Sequence, residues 1–179
     1  MIIKAEIVNQ PYSGEFEERI YDNESPWNSA SWTWIKFTDS NYNEWIGQFR
    51  GLPRDVAVSE PKNETLVLTS DYLFRLENKN GDLIEFEDQP QYQNLTTSPS
   101  GDFILADYYN INLINKTLNG TVNIACPIEM DMIKFKKWND RKLEFTCDEF
   151  TNWDRHLVME LDADKLTIEI KNEQKQNTI

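Results

Sequence analysis

Alternation of apolar and polar residues is the feature that most constrains the fold of this chain. Residues 32–37, 133–136 and 166–170 all alternate in this way. A period of two residues is typical of a β-strand with one buried face, and no segment shows a convincing helical period. Turn-forming pairs such as Asn80-Gly81 and Asn119-Gly120 separate the alternating segments. The sequence therefore predicts an all-β domain of many short strands.

Three stretches of the chain repeat one pattern, in which two strands joined by a turn end in an aspartate. These aspartates are Asp71, Asp107 and Asp148, which are 36 and 41 residues apart. A second hairpin follows each of them, so each repeat predicts four antiparallel strands. Four more candidate strands, at 2–8, 16–21, 32–37 and 44–49, predict a degenerate first unit.

Four-strand units with a period of about 40 residues resemble the blades of β-propeller proteins. The turn at residues 98–102, before the apolar run 103–105, is similar to the turn between the inner strands of many blades. The resemblance covers roughly residues 53–171, and its motifs imply no subfamily. A β-sandwich or a twisted meander would give much the same pattern, so that alternative stays open.

The domain organisation follows from these repeats. We expect a single all-β domain over residues 1–171, with a degenerate unit at 1–52 and three repeat-like units at 53–171. Residues 172–179 form a polar tail in this scheme. The longest irregular segment is 22–31, and loops of that length are often functional.

The composition is strongly acidic and excludes some classes of partner. With 18 Lys and Arg against 31 Asp and Glu, the formal charge is −13, which argues against binding the phosphates of a nucleic acid. The longest apolar run is 103–106, far short of the ~20 residues that a membrane-spanning helix needs. Glu6 interrupts the apolar start of the chain, so no secretion signal is predicted, and a cytoplasmic location is expected.

Acidic residues are unevenly distributed along the chain. Between positions 80 and 133 there are eight acids and one base, whereas five bases follow within residues 134–142. An acidic face attracts a basic partner by electrostatic steering, although the charge could also serve solubility alone. The candidate partner-binding residues are Glu15, Glu17, Glu18, Trp27, Asp82, Glu85, Glu87 and Asp88. Trp27 is included because an exposed tryptophan among acids can anchor a protein.

Catalytic and metal-binding motifs are not recognisable. His156 and Cys147 fall on adjacent predicted strands, but no nucleophile motif surrounds them. Asp39 starts a stretch similar to a calcium loop, yet Glu44 and Arg50 stand where Gly and Glu are needed. The recurring aspartates fit either a ring of carboxylates that binds a cation or acceptors within turns. We therefore predict no catalytic residue, no metal and no cofactor.

The sequence favours a non-enzymatic intracellular protein-binding module. One version is an inhibitor of the immunity type, a small acidic protein that neutralises a basic enzyme. Two alternatives remain open: a carbohydrate-binding or glycan-processing protein that uses tryptophans and carboxylates, and a structural or oligomeric protein whose strand edges pair between chains. The oligomeric state is not predicted.

Overall fold

The structure is a computed structural model that describes residues 1–173, without the side chains of Trp153 and Glu173. This part of the chain contains sixteen β-strands and no helix, hence no helix long and apolar enough to span a membrane. The predicted all-β fold is confirmed. The chain divides into two compact units: unit 1 is Met1–Gln91, and unit 2 begins at Tyr92. Of the expected tail, 172 and 173 lie in the last strand and 174–179 lie outside the described residues.

Unit 1 consists of two four-stranded sheets, with strand orders β1-β3-β4-β2 and β5-β6-β7-β8. The strands are β1 (Ile2–Val8), β2 (Glu17–Tyr21), β3 (Trp32–Asp39), β4 (Glu44–Arg50), β5 (Pro53–Ser59), β6 (Glu64–Thr69), β7 (Tyr72–Glu77) and β8 (Leu83–Asp88). The second sheet is an antiparallel meander, as predicted. The first departs from the expected pattern in one pair, because β2 runs parallel to β4. Long segments at 9–16 and 22–31 flank β2, so no tight hairpin forces it to pair antiparallel with a chain neighbour.

Unit 2 also consists of two four-stranded sheets, both antiparallel meanders. Its strands are β9 (Asn94–Thr97), β10 (Phe103–Ala106), β11 (Ile111–Ile114), β12 (Thr121–Asn123), β13 (Met130–Asn139), β14 (Lys142–Glu149), β15 (Asn152–Asp162) and β16 (Thr167–Glu173). Strand β13 extends on both sides beyond the alternating segment 133–136. Two register shifts let it continue, and Met132 has a φ of 54° at the first of them.

Aromatic rings form much of the core of unit 1. Phe37, Phe49 and Phe74 are completely buried, because alternate residues of β3, β4 and β7 point inward. Tyr21 stacks on Phe49 with ring centroids 4.5 Å apart, and Trp45 stacks on Phe37 at 4.2 Å. Each buried ring contributes roughly 2 kcal/mol through removal of apolar surface from water. The two sheets of unit 1 are therefore held together largely by ring contacts.

The core of unit 2 is mainly aliphatic. Ile, Leu and Met side chains pack with Cys147 around Phe145, which is the one fully buried ring of this cluster among the described residues. A half-buried side-chain amide joins the two sheets: Asn94 Nδ2 donates to the Ile133 carbonyl at 3.0 Å, and the Phe135 amide donates to Asn94 Oδ1 at 3.1 Å. This polar pair fixes the position of β9 relative to β13.

Candidate functional site

Unit 1 carries most of the negative charge. Residues 1–91 include 17 acidic and 8 basic side chains, a formal charge of −9, whereas the rest of the chain has 14 and 10, a charge of −4. All eight candidate partner-binding residues of the sequence analysis belong to unit 1. The structure therefore brings into one unit two clusters that lie more than sixty positions apart in the sequence.

Contacts between β2 and the turn before β8 bring the two acidic segments together. The Tyr21 hydroxyl donates to the Gly81 carbonyl at 2.6 Å, and burial raises the pKa of Tyr21 to about 12. Arg19 donates to the Asn80 carbonyl and lies 4.3 Å from the ring centre of Trp45. Gly81 has a φ of 77°, and a Cβ there would lie 2.8 Å from Trp45. Only glycine fits this close approach without strain.

We use the name acidic edge surface for the carboxylates of β2, β8 and the residues leading into them. They are Glu15, Glu17, Glu18, Asp82, Glu85, Glu87 and Asp88. Several of them have partners within the unit. Glu17 pairs with Arg19 at 3.1 Å and Glu85 with Arg75 at 2.7 Å, while Glu18 accepts a hydrogen bond from Gln48. Internal arginines thus offset part of the charge of this surface.

The other members of this surface differ in their contacts and in their exposure. Glu15 accepts a hydrogen bond from the Tyr12 amide at 3.1 Å, and Asp82 accepts one from the Asn80 side chain at 2.5 Å. Asp88 is exposed at the end of β8. Burial raises the pKa of Glu87, whose Oε2 is inaccessible and has no hydrogen-bond partner within the described residues.

The irregular segment 22–31 is tied to β7 and displays Trp27. The indole of Trp27 is 64% exposed. Tyr72 donates from its hydroxyl to Asn28 Oδ1, and the Ser29 amide donates to Asp71 Oδ2 at 2.7 Å. Asp88 lies opposite Tyr72 in the strand pair of β7 and β8. The loop that carries Trp27 is thus fastened to the strand next to the acidic β8.

A second set of contacts fixes the base of this loop. Arg50 donates to both carboxylate oxygens of Asp22, at 3.1 Å and 2.6 Å, and its guanidinium lies 3.8 Å from the ring centre of Trp32. Trp32 is therefore partly covered, and Trp45 is buried in the core. Of the tryptophans near the N-terminus, Trp27 is the one that offers most of its surface to a partner.

The three recurring aspartates have different local roles. Asp71 and Asp107 accept hydrogen bonds in the turn that follows the second strand of their sheet, and the Asp107 bonds come from two backbone amides. Burial raises the pKa of Asp71, but its hydrogen bonds outweigh this effect and lower the pKa overall. Asp148 instead contacts His156, with Oδ1 2.5 Å from Nδ1. These contacts support the interpretation of turn acceptors for the first two.

Cys147 and His156 do not form a nucleophile–base pair. Residues alternate along β14, so Cys147 points into the core and Asp148 points to the opposite face, where it meets His156. Burial raises the pKa of Cys147 to about 12, the reverse of what activates a thiol. Asp39 accepts hydrogen bonds from Asn43, which lower its pKa, within an ordinary turn. The described residues contain no group of three side chains placed to hold a metal ion.

An open cleft of about 530 Å³ in unit 2 was not predicted from the sequence. Exposed aromatic rings stand at its rim: Tyr109 and Phe150 meet edge to face with centroids 5.9 Å apart, and Tyr108 meets Tyr109 at 6.3 Å. Ile124 and Met130 lie on its floor. The sequence signal that could have indicated it is the adjacent pair Tyr108-Tyr109, which follows the recurring Asp107.

Comparison with known proteins identifies a fold and no family. No protein-family model matches the chain, and no curated protein matches it in sequence. Among solved structures, the chain is similar to dihydro-heme d1 dehydrogenase NirN in complex with DHE, with a TM-score of 0.51 and 18% identity over 82% of this chain and 34% of that one. Hsv2 of Kluyvelomyces marxianus matches with a TM-score of 0.42 and 9% identity, over 82% and 57% of the two chains.

The match to NirN shows the fold class. The chain spans less than two thirds of the length of either of these structures. The similarity to NirN, which is a propeller protein, shows that the four-stranded sheets have the propeller-type fold. The predicted propeller-like architecture is therefore confirmed at the level of fold class.

Proposed function

We propose that this chain is a non-enzymatic, cytoplasmic binding protein that holds a basic protein against the acidic edge surface, with Trp27 as an apolar anchor. In its most specific form the protein is an inhibitor of the immunity type, which covers the active surface of a basic enzyme. The charge of −9 on unit 1 supports a partner of opposite sign.

The observation that carries this proposal is the attachment of the Trp27 loop to the strand pair of β7 and β8. Tyr72 binds the loop through its hydroxyl and faces Asp88 across the strand pair. A tryptophan on a fixed loop loses little entropy when a partner buries it, and neighbouring carboxylates accelerate the encounter. The arrangement thus combines an anchor with long-range attraction.

Exposed apolar side chains on the two edge strands add contact area. Ile20 on β2 is 66% exposed, and Ile84 and Phe86 on β8 are 50% and 46% exposed. Protein interfaces combine an apolar centre with a polar rim. Ile84 and Phe86 share a strand face with Asp88, and Ile20 shares one with Glu18, so these faces combine apolar and acidic side chains.

The first test is capture of a partner from native-host lysate by immobilised protein, after light scattering has established the mass of the free protein. Trp27→Ala is compared with Tyr12→Ala, because Tyr12 is an even more exposed ring of the same unit. We expect the wild type and Tyr12→Ala to capture one basic protein stoichiometrically. Trp27→Ala should weaken its binding by about 30-fold or more, as for a central anchor residue.

The second test separates a specific surface from net charge. Glu15→Gln/Glu18→Gln/Asp88→Asn removes three charges from the acidic edge surface, and a matched control removes three exposed charges from unit 2: Asp140→Asn/Asp154→Asn/Glu169→Gln. The first variant should slow association with the captured protein and flatten its salt dependence, while the control leaves both nearly unchanged. Equal effects of the two variants would contradict the proposal.

A further inference from the structure

The cleft of unit 2 has an apolar floor and an aromatic rim. Ile124 and Met130 at the floor are each 4% exposed, whereas Tyr109 and Phe150 at the rim are 51% and 41% exposed. Their edge-to-face contact, with an interplanar angle of 87°, fixes both rings while leaving ring surface open to the cleft. A ligand with an apolar body would therefore contact buried apolar side chains at the floor of the cleft and aromatic rings at its rim.

The charge in this cleft is of one sign. Glu129 is exposed at the mouth, and no lysine, arginine or histidine is among the residues that line the cleft. The Phe150 amide donates to the Glu129 carbonyl at 2.9 Å. This bond holds the two residues that carry the ring and the carboxylate next to each other. Anions would meet this carboxylate without a compensating cation and are disfavoured.

The remaining polar groups mostly offer acceptors. Asn123 Nδ2 donates to Asn110 Oδ1 at 3.4 Å, and Asn110 donates in turn to Asp107 at 3.5 Å. Each amide therefore directs one donor into the protein. The Glu129 carboxylate and the amide oxygen of Asn123 remain as acceptors for a ligand that donates hydrogen bonds or carries positive charge.

We propose that this cleft binds a small organic cation, an ammonium group carried on an apolar body. Aromatic faces attract ammonium groups through the ring quadrupole, and a nearby carboxylate adds direct Coulomb attraction. Tyr109, Phe150 and Glu129 supply these two contributions, and the apolar floor accepts the rest of the ligand. This site lies wholly within unit 2 and does not depend on the protein partner proposed for unit 1.

The test compares choline with its neutral isostere 3,3-dimethyl-1-butanol, titrated into the full chain while the methyl resonance of Met130 is followed by NMR. We expect choline to bind saturably and the neutral compound to bind with an affinity at least about tenfold lower. Equal affinities for the two compounds would overturn the proposal. So would the lack of a saturable shift with choline up to about 10 mM, or tighter binding of methyl glucoside than of choline.

Two variants and a control locate the site. Glu129→Gln keeps the shape of an exposed side chain and should weaken choline binding about tenfold, while Phe150→Leu removes ring surface and should weaken it severalfold. Glu169→Gln removes an exposed charge on β16 and should leave the affinity unchanged. Unfolding curves of all three proteins check that the fold is intact. The same affinity in Glu129→Gln and Glu169→Gln would show that choline does not bind at this cleft.

Discussion

Units 1 and 2 share a four-strand pattern but differ in how many aromatic rings their core clusters contain. In unit 1, Phe37, Phe49 and Phe74 are completely buried between the sheets. In unit 2, the core cluster is mainly aliphatic, and Tyr109 and Phe150 stand at the rim of an open cleft. Burial of rings stabilises a fold, whereas exposure of rings creates a binding surface at a cost in solubility.

The two units also differ in how they display charge. Unit 1 has a formal charge of −9 and concentrates carboxylates on two edge strands, whereas the rest of the chain has a charge of −4. The cleft of unit 2 adds one exposed carboxylate, Glu129, to its rings. Alternation along strands fixes which residues are buried but leaves the exposed faces free to vary. The two units can therefore hold different kinds of binding site on the same framework.

The largest expected effect is on the free energy of unfolding, and it tests the contrast between buried and exposed rings. Phe49→Ala removes a ring that packs on Tyr21, Phe37 and Phe74, and should lower the free energy of unfolding by about 4 kcal/mol. Phe150→Ala, at the exposed rim, should cost less than about 1 kcal/mol. Urea unfolding curves of both variants measure the difference. Similar losses would mean that the cleft ring supports the fold.

The next effect concerns the contact that joins β2 to the turn before β8. Gly81→Ala combines an unfavourable positive φ with a clash against Trp45, and should cost about 3 kcal/mol. Gly14→Ala is the matched control, since Gly14 has a φ of 80° and nothing within 4 Å of an added Cβ. It should cost about 1 kcal/mol. Equal losses in thermal unfolding would show that the close approach to Trp45 is relaxed at no cost.

A smaller effect compares the loss of a half-buried arginine that contacts Glu85 of the acidic edge surface with the loss of an exposed arginine in unit 2. Arg75 contacts Glu64 at 2.5 Å and Glu85 at 2.7 Å, with its side chain only 13% exposed. Arg75→Ala removes the guanidinium that contacts both carboxylates and should cost about 2 kcal/mol. Arg141→Ala breaks a pair in which both side chains are 49% exposed, and it should leave the stability nearly unchanged. If salt screens these ion pairs only weakly, raising the salt concentration should not lower the free energy of unfolding of either variant more than that of the wild type.

The smallest effect is pH-dependent. Burial raises the pKa of Glu87 above its ordinary value of 4.5, so the folded state holds this proton more tightly than the unfolded state does. Its contribution to stability is present below pH 4.5 and is lost as the pH rises through the folded-state pKa. Glu87→Gln should therefore stabilise unit 1 at pH 7 by about 0.5 kcal/mol, and the gain should vanish near pH 3. A gain that persists unchanged at low pH would contradict this origin.

The strands could be predicted from the sequence because alternation and turn residues are local signals. The predicted strand at 2–8 matches β1, and the predicted strand at 44–49 matches β4 to within one residue. The parallel pairing of β2 with β4 could not be predicted, since the residues of β2 indicate only a strand and not which edge it joins. Pairing depends on loop lengths and on the free edge of a distant strand.

The candidate sites were only partly visible in the sequence. Acidic clusters and Trp27 stood out by composition, but the hydrogen bonds that tie the loop to Tyr72 and Asp71 join positions more than forty residues apart. The cleft of unit 2 combines residues near positions 109, 124–130 and 150, each of which looks ordinary by itself. Sites built from separate segments appear only when the strand pairing is known.

The central claim is that a basic partner binds at the acidic edge surface and at Trp27. Hydrogen–deuterium exchange of the chain, alone and with the captured protein, tests it most directly. We expect the partner to slow exchange in β2, β8 and residues 22–31, and to leave residues 108–130 unchanged. Slower exchange confined to unit 2, with none in β2, β8 or the Trp27 loop, would contradict the claim.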